Sequence, residues 1–259
     1  MNNWAIIGLG FISSRHRQAI ERIGDRVILT CDIDPDKKAD YTDWCLMMRD
    51  VRWRDVSHVA ICTPNYLHWP IARCMPDKII LCEKPITINS EHLNYLGDNV
   101  NGVLQLRYHP KLQNLSPKKV SVTAKMFRDE QYWKSWKGNQ KKSGGVLFNL
   151  GVHYIDLLIF LLGNPVNIQS AYADDKLAKG VIEFERGIGD YHIEILDSRD
   201  GQIRKILVDG NEISLSDKDN LSYEDLHTDV YRNLKWGNGI KPSECKKAVK
   251  LIEELYKML

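Results

Sequence analysis

The sequence predicts an α/β fold in two parts. Residues 1–109 are expected to form a domain on a parallel sheet, and residues 110–259 an α+β domain with a largely antiparallel open sheet. The first part contains short runs that are almost wholly apolar and β-branched, which is typical of parallel strands covered on both faces. After residue 165, short strand-like runs follow one another across glycine-containing turns, which is typical of antiparallel strands.

Composition narrows the classes of protein to which the chain can belong. Its 259 residues fit one large domain or two modest ones, and 36 basic against 34 acidic residues give a net charge of +2. This balance argues against a dedicated binder of nucleic acid or membranes, and we predict neither partner. The longest apolar stretch, residues 155–162, is interrupted by Asp156 and is too short to span a bilayer. Because the N-terminus lacks the features of a signal peptide, we expect a cytoplasmic protein.

Six cysteines are spread along the chain without CxxC or Cys/His ligand spacing, so no structural zinc site and no other metal is predicted. Three of them end apolar runs, where a small buried hydrophobe fits. We interpret all six as reduced thiols. They are Cys31, Cys45, Cys62, Cys74, Cys82 and Cys245.

The first element is a short apolar strand, residues 4–7, that breaks into the turn GLGFIS and a helix over residues 14–23. Strand, glycine turn and helix is the context of a dinucleotide-binding (Rossmann) fingerprint. Gly8 permits the tight turn, and Gly10 lets the backbone approach a pyrophosphate at the helix N-terminus. Phe11 and Ile12 belong to the same turn, and Ser13 replaces the third glycine. By itself the motif fits a plain βα turn equally well.

The second strand, residues 27–31, ends in Asp32, 22 residues after Gly10. An acid at this point holds the ribose hydroxyls of a dinucleotide, and its charge would repel a 2′-phosphate. No basic residue follows directly, so NAD is predicted rather than NADP. The alternative is that Asp32 only starts an Asp-Pro turn or caps the next helix.

Two further strands, residues 57–62 and 78–82, place polar motifs just beyond their carboxyl ends. The first is followed by TPNYLH and the second by EKP. Because an open α/β sheet binds its ligands at this edge, both motifs are expected to lie at the cofactor.

Together, GLGFIS, TPNYLH and CEKP resemble the Gfo/Idh/MocA family of NAD(P)-dependent oxidoreductases. The resemblance implies that Lys84 is the catalytic lysine and that Pro85 follows a cis peptide bond. It also implies a set of residues that hold the dinucleotide: Gly8, Gly10, Phe11, Ile12, Asp32, Thr63, Pro64, Asn65, His68, Glu83, Lys84 and Arg107.

This first half is short for the family. Only 30 residues separate Cys31 from Cys62, which leaves room for one helix, residues 41–49, and we expect one outer strand to be missing. Residues 103–107 are predicted to form a further strand. In the family this segment carries an arginine near the active site, here Arg107.

The second family signature is the stretch GGVLFNLGVHYID, predicted as a helix. Asn149 and His153 are four positions apart and can point into one cleft, with Asp156 following. Many members have Asp where this chain has Asn149, which can orient a hydroxyl but cannot exchange a proton. Lys84 and His153 therefore remain as candidates for the catalytic base, and either is possible. A histidine on an apolar helix can also be a plain core residue.

A subgroup of the family fits best. RYHP, YWKSWKG, the Asn of NLGVHYID, and DLHT with Tyr231 resemble the UDP-N-acetylglucosaminuronate 3-dehydrogenases, which make sugars for bacterial surface polysaccharides. A UDP-sugar acid is polyanionic, and a cluster of cations lies between residues 128 and 142. The alternative is a solvated basic loop. The predicted substrate-binding residues are Lys84, Arg107, Arg128, Lys134, Ser135, Trp136, Lys137, Asn149, His153 and His227.

The rest of the second half reads as strands and two closing helices. The strands are predicted at residues 120–127, 168–172, 180–185, 191–196, 204–208 and 212–215, with turns at 187–189, 200–201 and 209–210. The helices are predicted at 222–234 and 243–259. The second carries an apolar stripe that ends at Met258. In the family the open sheet mediates homodimer or homotetramer contacts, and we expect the same here.

We therefore predict an NAD-dependent enzyme that oxidises the C3 hydroxyl of a UDP-N-acetylated hexuronate. One alternative is a dehydrogenase of another sugar or sugar nucleotide. The other is a relative that binds NAD and sugar nucleotide without turnover, although the presence of Lys84, His153, Asp32 and Gly10 argues against it.

Overall fold

The computed structural model describes residues 1–213 and 225–258. Its first half is a five-stranded parallel sheet in the order β2-β1-β3-β4-β5. The strands are β1 Asn3–Ile7, β2 Arg26–Cys31, β3 His58–Ile61, β4 Ile79–Cys82 and β5 Val100–Gly102. This confirms the predicted parallel sheet of a Rossmann domain. Strand β2 lies at one edge, and only a single bridge between Cys31 and Tyr41 extends beyond it in the described residues, as expected for a sheet that lacks an outer strand.

Helices connect these strands as the glycine and polar motifs predicted. They are α1 Ser13–Arg22, α2 Trp44–Met47 and α3 Asn65–Ala72. A 3₁₀ turn at Val51–Asp55 follows α2 before β3, and the connection from β4 to β5 uses a 3₁₀ turn at Ser90–Tyr95. The short α2 is half of the helix predicted over residues 41–49, because Asp43 caps its start through the backbone N–H of Cys45.

The predicted strand over residues 103–107 is wrong. Strand β5 comes earlier, at Val100–Gly102, and pairs with β4 until that strand ends at Cys82. The last bond to β4 is donated by Val103 to the Cys82 carbonyl oxygen, and Gln105–Tyr108 then turns into a 3₁₀ helix that buries Leu106.

Each face of this sheet carries its own apolar layer because side chains alternate along β1. Ala5 and Ile7 pack on one side, whereas Trp4 and Ile6 pack on the other together with Ile20 of α1. The second layer is completed from the far end of the chain by α7, Asp225–Lys235, whose Val230, Tyr231 and Leu234 join it. The division at residue 109 therefore remains a prediction, since α7 packs against the N-terminal sheet.

The second half is a six-stranded sheet in the order β11-β10-β6-β9-β8-β7, with only β6 and β9 parallel. The predicted, largely antiparallel sheet is confirmed. Its strands are β6 Lys119–Phe127, β7 Pro165–Ala173, β8 Leu177–Phe184, β9 Gly187–Leu196, β10 Ile203–Val208 and β11 Asn211–Ile213. The predicted end of the last strand, residues 214–215, lies outside the described residues.

One predicted turn lies elsewhere. Gly187 and Gly189 belong to β9, and the chain reverses at Glu185 and Arg186. A Cβ on Gly189 would lie 2.8 Å from the Phe184 ring and 3.1 Å from Leu158, so this glycine lets helix α6, Val152–Leu162, approach the sheet. The Asp209-Gly210 turn is confirmed, with φ of 48° and 83°.

Of the helices of the second half, Val152–Leu162 packs on β6 and β9 of this sheet and Pro242–Lys257 on β7, whereas α7 packs on the first sheet. In chain order, these helices are α4 Glu130–Lys134, α5 Gln140–Ser143, a π-helical turn Leu147–Gly151, α6 Val152–Leu162, α7 and α8 Pro242–Lys257. Helix α8 buries the predicted apolar stripe except Met258, which follows the last helical residue and is 55% exposed. The predicted starts and ends at residues 222 and 259 lie outside the described part.

The helical segment Gln140–Leu162 is long and apolar enough by composition to cross a membrane. However, 83% of its most apolar stretch of 18 residues is buried inside the protein. It is thus a core helix of this fold, and it is longer than the apolar stretch at residues 155–162 because it continues toward the N-terminus through residues 147–151. All six cysteines are free thiols, four of them buried.

Candidate active site

The glycine turn sits between the ends of β1 and β3. Gly8 has φ +93°, and a Cβ there would lie 2.7 Å from the backbone of Cys62, so the position requires glycine. Nothing lies within 4 Å of a Cβ on Gly10, which leaves space for a ligand against the start of α1. Ser13, at the third glycine position, donates its hydroxyl to the Gly10 carbonyl at 2.7 Å. Phe11 is 83% exposed at the tip of the turn, and Ile12 is half-buried beside it.

Asp32 ends β2 beside this turn. Its carboxylate accepts hydrogen bonds from the backbone N–H groups of Leu9 and Asp34. It is therefore tied to the glycine turn, and the alternative of an isolated Asp-Pro turn does not describe its contact with Leu9. A carboxylate at this point faces the ribose of a dinucleotide in this fold.

The charge of Asp32 leads to a test of cofactor preference. We expect the protein to bind NAD at least about tenfold more tightly than NADP, because the carboxylate repels a 2′-phosphate. Asp32→Asn keeps an acceptor for Leu9 but removes the charge, so it should narrow this ratio in titrations of each dinucleotide. Asp36→Ala, an exposed acid in the following turn, is the control and should leave the ratio unchanged. Tighter binding of NADP by the unaltered protein would contradict the assignment.

The TPN segment follows β3 and connects the two halves of the protein. Asn65 donates its amide to the Ser143 carbonyl at 3.0 Å, next to α5. His68 is buried, with one ring nitrogen 2.7 Å from the Pro85 carbonyl oxygen and the other 2.7 Å from that of Thr63. His68 thus fixes the TPN and EKP motifs against each other. Pro64 directly precedes α3.

Lys84 follows β4, and its peptide bond to Pro85 is cis, as the resemblance implied. The ammonium group donates to the Asn149 carbonyl oxygen at 2.8 Å. Burial lowers the pKa of the Lys84 amine to about 8; Glu83 opposes this effect, and the positive charges of Arg128 and Lys137 reinforce it. An amine of this kind exchanges protons near neutral pH.

Asn149 and His153 come from the start of the core helix. Asn149 lies in the π-helical turn rather than in an α-helical one, and it donates its amide to the Tyr132 hydroxyl at 2.7 Å. His153 follows in α6. Burial, followed by the charge of Lys84, holds the pKa of His153 well below its usual range. The Nδ1 atom of His153 is buried and has no hydrogen-bond partner among the described residues. The predicted trio is therefore brought together, since Lys84 bonds to Asn149 and its charge acts on His153.

The predicted cationic segment divides into two sets. Arg128 and Lys137 are close enough to Lys84 to lower its pKa, and Arg128 lies over the Tyr132 ring at 5.5 Å. Lys134, by contrast, is 71% exposed and pairs with Glu130 at 2.7 Å. The hydroxyl of Ser135 is used locally, on the Tyr132 carbonyl, and Trp136 lies under Lys137. The contribution of Lys134, Ser135 and Trp136 to substrate binding remains a prediction.

Beside Arg128 lies an open groove of about 630 Å³. It is lined by Phe127, Arg128, Asp129, Glu130, Trp133, Asp175, Lys176 and Asp197. Its walls carry both signs of charge, and only Arg128 belongs also to the surroundings of Lys84.

Arg107 is engaged by acidic partners. Its guanidinium forms a two-pronged ion pair with Asp156 of α6, at 2.7 and 2.8 Å, and contacts Glu244 of α8 at 2.8 Å. It thereby joins the 3₁₀ segment after β5 to both helices. With these bonds made, its predicted contact with cofactor or substrate remains a prediction.

Glu83 and His227 were predicted to contact ligands, but the structure places both in a buried group with His16 of α1. Reasoning from the sequence missed His16, Tyr132 and Arg204. His16 could have been noticed as a histidine on the inner face of α1. Arg204, which acts on the pKa of both His153 and Arg128, comes from β10 and gave no signal in the sequence.

The residues present fit NAD. The open space at Gly10 admits a pyrophosphate, and Asp32 stands where a ribose is held. Farther along the same sheet edge, the buried Thr63 hydroxyl and the Nδ1 atom of His153 have no partner in the described residues. Buried polar atoms of this kind are usually satisfied, so a bound ligand is their natural partner.

Comparison with known families identifies both halves of the chain. Residues 2–101 match the Oxidoreductase family, NAD-binding Rossmann fold (GFO_IDH_MocA). Residues 116–203 match its partner, the Oxidoreductase family, C-terminal alpha/beta domain.

Solved structures extend the comparison over the whole chain. The WlbA (WbpB) dehydrogenase of Thermus thermophilus, in complex with NAD and α-ketoglutarate, is 28% identical, with a TM-score of 0.86 over 100% of this chain and 96% of that one. The structure of the Thermus thermophilus WlbA (WbpB) dehydrogenase in complex with NAD and UDP-GlcNAcA is 29% identical to this chain. Its TM-score is 0.84, and the match covers 97% of this chain and 94% of that one. The WlbA dehydrogenase of Bordetella pertussis, at 19% identity over 99% and 94% and a TM-score of 0.81, shares the fold.

A curated relative is more distant. The 2,7-anhydro-N-acetylneuraminate hydratase of Mediterraneibacter gnavus is 25% identical over 62% of this chain. The match spans about half the length of that protein, 49%. With both family domains matched in order, and with the NAD-binding edge and the EKP lysine in place, the chain belongs to the Gfo/Idh/MocA oxidoreductase family.

Proposed function

We propose that this chain, an NAD-dependent dehydrogenase of the Gfo/Idh/MocA family, oxidises the C3 hydroxyl of UDP-GlcNAcA to the 3-keto sugar nucleotide, within the biosynthesis of surface-polysaccharide sugars. The observation that carries the proposal is the grouping of Lys84 with Asn149 and His153, with the charges of Arg128 and Lys137 acting on Lys84. The similarity to the Thermus thermophilus protein bound to NAD and UDP-GlcNAcA supports the choice of substrate.

Lys84 is the better base of the two candidates. Its pKa of about 8 lies near the working pH, which is the best match for a group that must take up a proton. His153 is neutral at that pH, but with its pKa held well below the usual range it is a weak proton acceptor. We therefore assign the removal of the C3 hydroxyl proton to the Lys84 amine. Bound NAD supplies the acceptor for the hydride that leaves C3.

His153 and Asn149 orient the sugar in this scheme. The unpartnered Nδ1 of His153 is available to a hydroxyl, and burial keeps the ring neutral so that this atom can accept a hydrogen bond. Asn149 holds Lys84 through its carbonyl and is itself fixed by Tyr132. Each group acts by position rather than by exchanging a proton.

The positive charges near Lys84 suit the substrate. A UDP-sugar acid carries a diphosphate and a carboxylate, and Arg128 and Lys137 place two cations near the reacting lysine. A neutral polyol has little use for them. We assign these two residues to the anionic groups of the substrate.

The experiment is direct. We expect NADH absorbance when the protein is mixed with NAD and UDP-GlcNAcA, and a much smaller rate with UDP-GlcNAc, which lacks the carboxylate. A panel of other UDP-sugars and free sugars provides the comparison. A signal with another sugar and none with UDP-GlcNAcA would overturn the substrate. Binding of both ligands, without turnover of any sugar in the panel, would favour the non-catalytic alternative.

Assembly through the C-terminal sheet is part of the same proposal. The face of that sheet turned away from α6 carries paired polar side chains, including Lys125 with Glu194 and Ser121 with Asp190. We propose that a homodimer or homotetramer forms through this sheet.

A further inference from the structure

A buried group of three ionisable side chains lies directly behind the catalytic lysine. Glu83, the residue before Lys84, has one carboxylate oxygen 2.8 Å from Nε2 of His16 and 3.8 Å from Nε2 of His227. His16 belongs to α1, the helix that starts at the glycine turn, and His227 belongs to α7. The group therefore joins the cofactor-binding helix, the EKP motif and the closing helix.

The hydrogen bonds define the charge of this group. Burial would raise the pKa of the Glu83 carboxyl, but the two histidines outweigh it and hold that pKa well below its usual range. Burial lowers the pKa of His16, so its ring is neutral. A carboxylate can only accept, so Nε2 of His16 donates to Glu83, and Nδ1 accepts from the Tyr231 hydroxyl at 2.7 Å. Glu83 is thus a fixed negative charge.

The same three residues have the atom types of a metal site, and their ligand atoms lie within 4.8 Å of one another. A tetrahedral ion with bonds near 2.0–2.1 Å separates its ligand atoms by about 3.3 Å. The 2.8 Å between His16 and Glu83 is the length of a hydrogen bond instead. The geometry is that of an ionic hydrogen-bond network.

This fixed charge acts on Lys84. The second carboxylate oxygen of Glu83 accepts the backbone N–H of Lys84 at 3.2 Å, so the two residues are locked together. The other charged or titratable groups that act on Lys84, or on which it acts, are Arg128 and Lys137 of the segment after β6, His153 of α6 and His68 of α3. Those that face Glu83 are His16, His227, Tyr231, Cys62, Cys82, His68 and His153.

We propose that Glu83, held ionised between His16 and His227, is the positioning residue that sets the proton affinity of Lys84. Arg128, Lys137 and burial favour the neutral amine, and Glu83 is the nearby counter-charge that limits their effect. The inference rests on the proposed function in one respect only, namely that the proton affinity of Lys84 matters for turnover.

The test measures the protonation of the Lys84 amine in the absence of substrate. Only the neutral amine is acylated, so Lys84 is labelled with acetic anhydride across a pH series and the labelling is measured by mass spectrometry. The midpoint is the pH at which Lys84 reacts at half its maximal rate. Glu83→Gln keeps the shape of the side chain and removes its charge. We expect the Lys84 midpoint to fall from about 8 by about one pH unit or more. The pH dependence of NADH formation should fall in parallel.

Controls separate this effect from a loss of structure. Glu253→Gln neutralises another hydrogen-bonded glutamate, the acceptor for Ser90, and should leave the midpoint unchanged. An unfolded chain would move the midpoint up, toward the ordinary lysine value near 10.4. If Glu83→Gln folds poorly, Glu83→Met combined with His16→Leu removes the same charge together with the imidazole that donates to it, and it should lower the midpoint equally.

The outcomes are distinct. An unchanged Lys84 midpoint in the folded charge-neutral variants overturns the inference and leaves Glu83 a structural residue. A midpoint that falls while the pH dependence of turnover stays fixed supports the inference and shows that Lys84 is not the base. The two proposals therefore fail separately.

Discussion

Replacing Lys84 by Met should lower the rate of NADH formation by about 10²–10⁴-fold, the contribution expected of a positioned general base. The thioether keeps most of the stem but has no amine to accept the C3 proton. It also loses the bond to the Asn149 carbonyl. NAD binding, measured by titration, should change much less, because the glycine turn and Asp32 remain.

A matched lysine provides the control. Lys250 lies on α8, is 65% exposed, and pairs with Glu254 rather than with the candidate site. Lys250→Met should leave the rate unchanged. Normal hydride transfer in Lys84→Met would show that the base lies elsewhere, and His153→Ala would then be the variant to measure.

The pH dependence of the intact protein discriminates between the two bases. If Lys84 is the base, kcat/KM should rise about tenfold per pH unit at low pH and level off above about 8, because only the neutral amine accepts the proton. If His153 were the base, its lowered pKa would leave it neutral throughout, and the profile would be flat from about pH 7 upward.

The second large effect concerns stability. Arg107→Met should destabilise the fold by about 3–5 kcal/mol, because it leaves the buried Asp156 carboxylate without its partner. In the native protein the side chains of Arg107 and Asp156 are 11% and 2% exposed, and the pair is two-pronged. Urea unfolding followed by circular dichroism gives the change in the free energy of unfolding.

A surface arginine provides the comparison. Arg232 pairs with Asp229 on α7 and is 53% exposed, so Arg232→Met should change stability by about 1 kcal/mol or less. Combining Arg107→Met with Asp156→Leu removes both charges and should recover much of the loss. Equal effects of the two single arginine substitutions would contradict a buried role for the Arg107 pair.

Local motifs predicted the nucleotide-binding edge well. The glycine turn, Asp32 and the EKP lysine each follow an apolar strand directly, so the path of the chain brings them to one edge of a parallel sheet. The predicted trio of Lys84, Asn149 and His153 also lies together. These residues were readable because their chemistry is tied to short, ordered patterns.

Errors arose where a pattern had more than one use. An apolar run at residues 103–107 is compatible with a strand or with a buried turn. It forms a 3₁₀ turn because β4, the neighbouring strand, ends at Cys82. Gly189 fits a turn or a close helix contact, and the nearness of Leu158 decided for contact. Periodicity cannot separate these cases, because the deciding neighbour is distant in sequence.

The sequence by itself determined the parallel sheet, its NAD-binding edge and the place of Lys84 just after β4, since each depends on residues within a few positions of one another. Only the tertiary structure decided that α7 completes the core beneath a shortened sheet, and that His227, carried on it, meets His16 behind Glu83. Such contacts join residues more than 200 positions apart. They form because α1 and α7 each have an apolar face, and folding buries these faces against each other. A local sequence pattern does not indicate which distant face will cover a given helix.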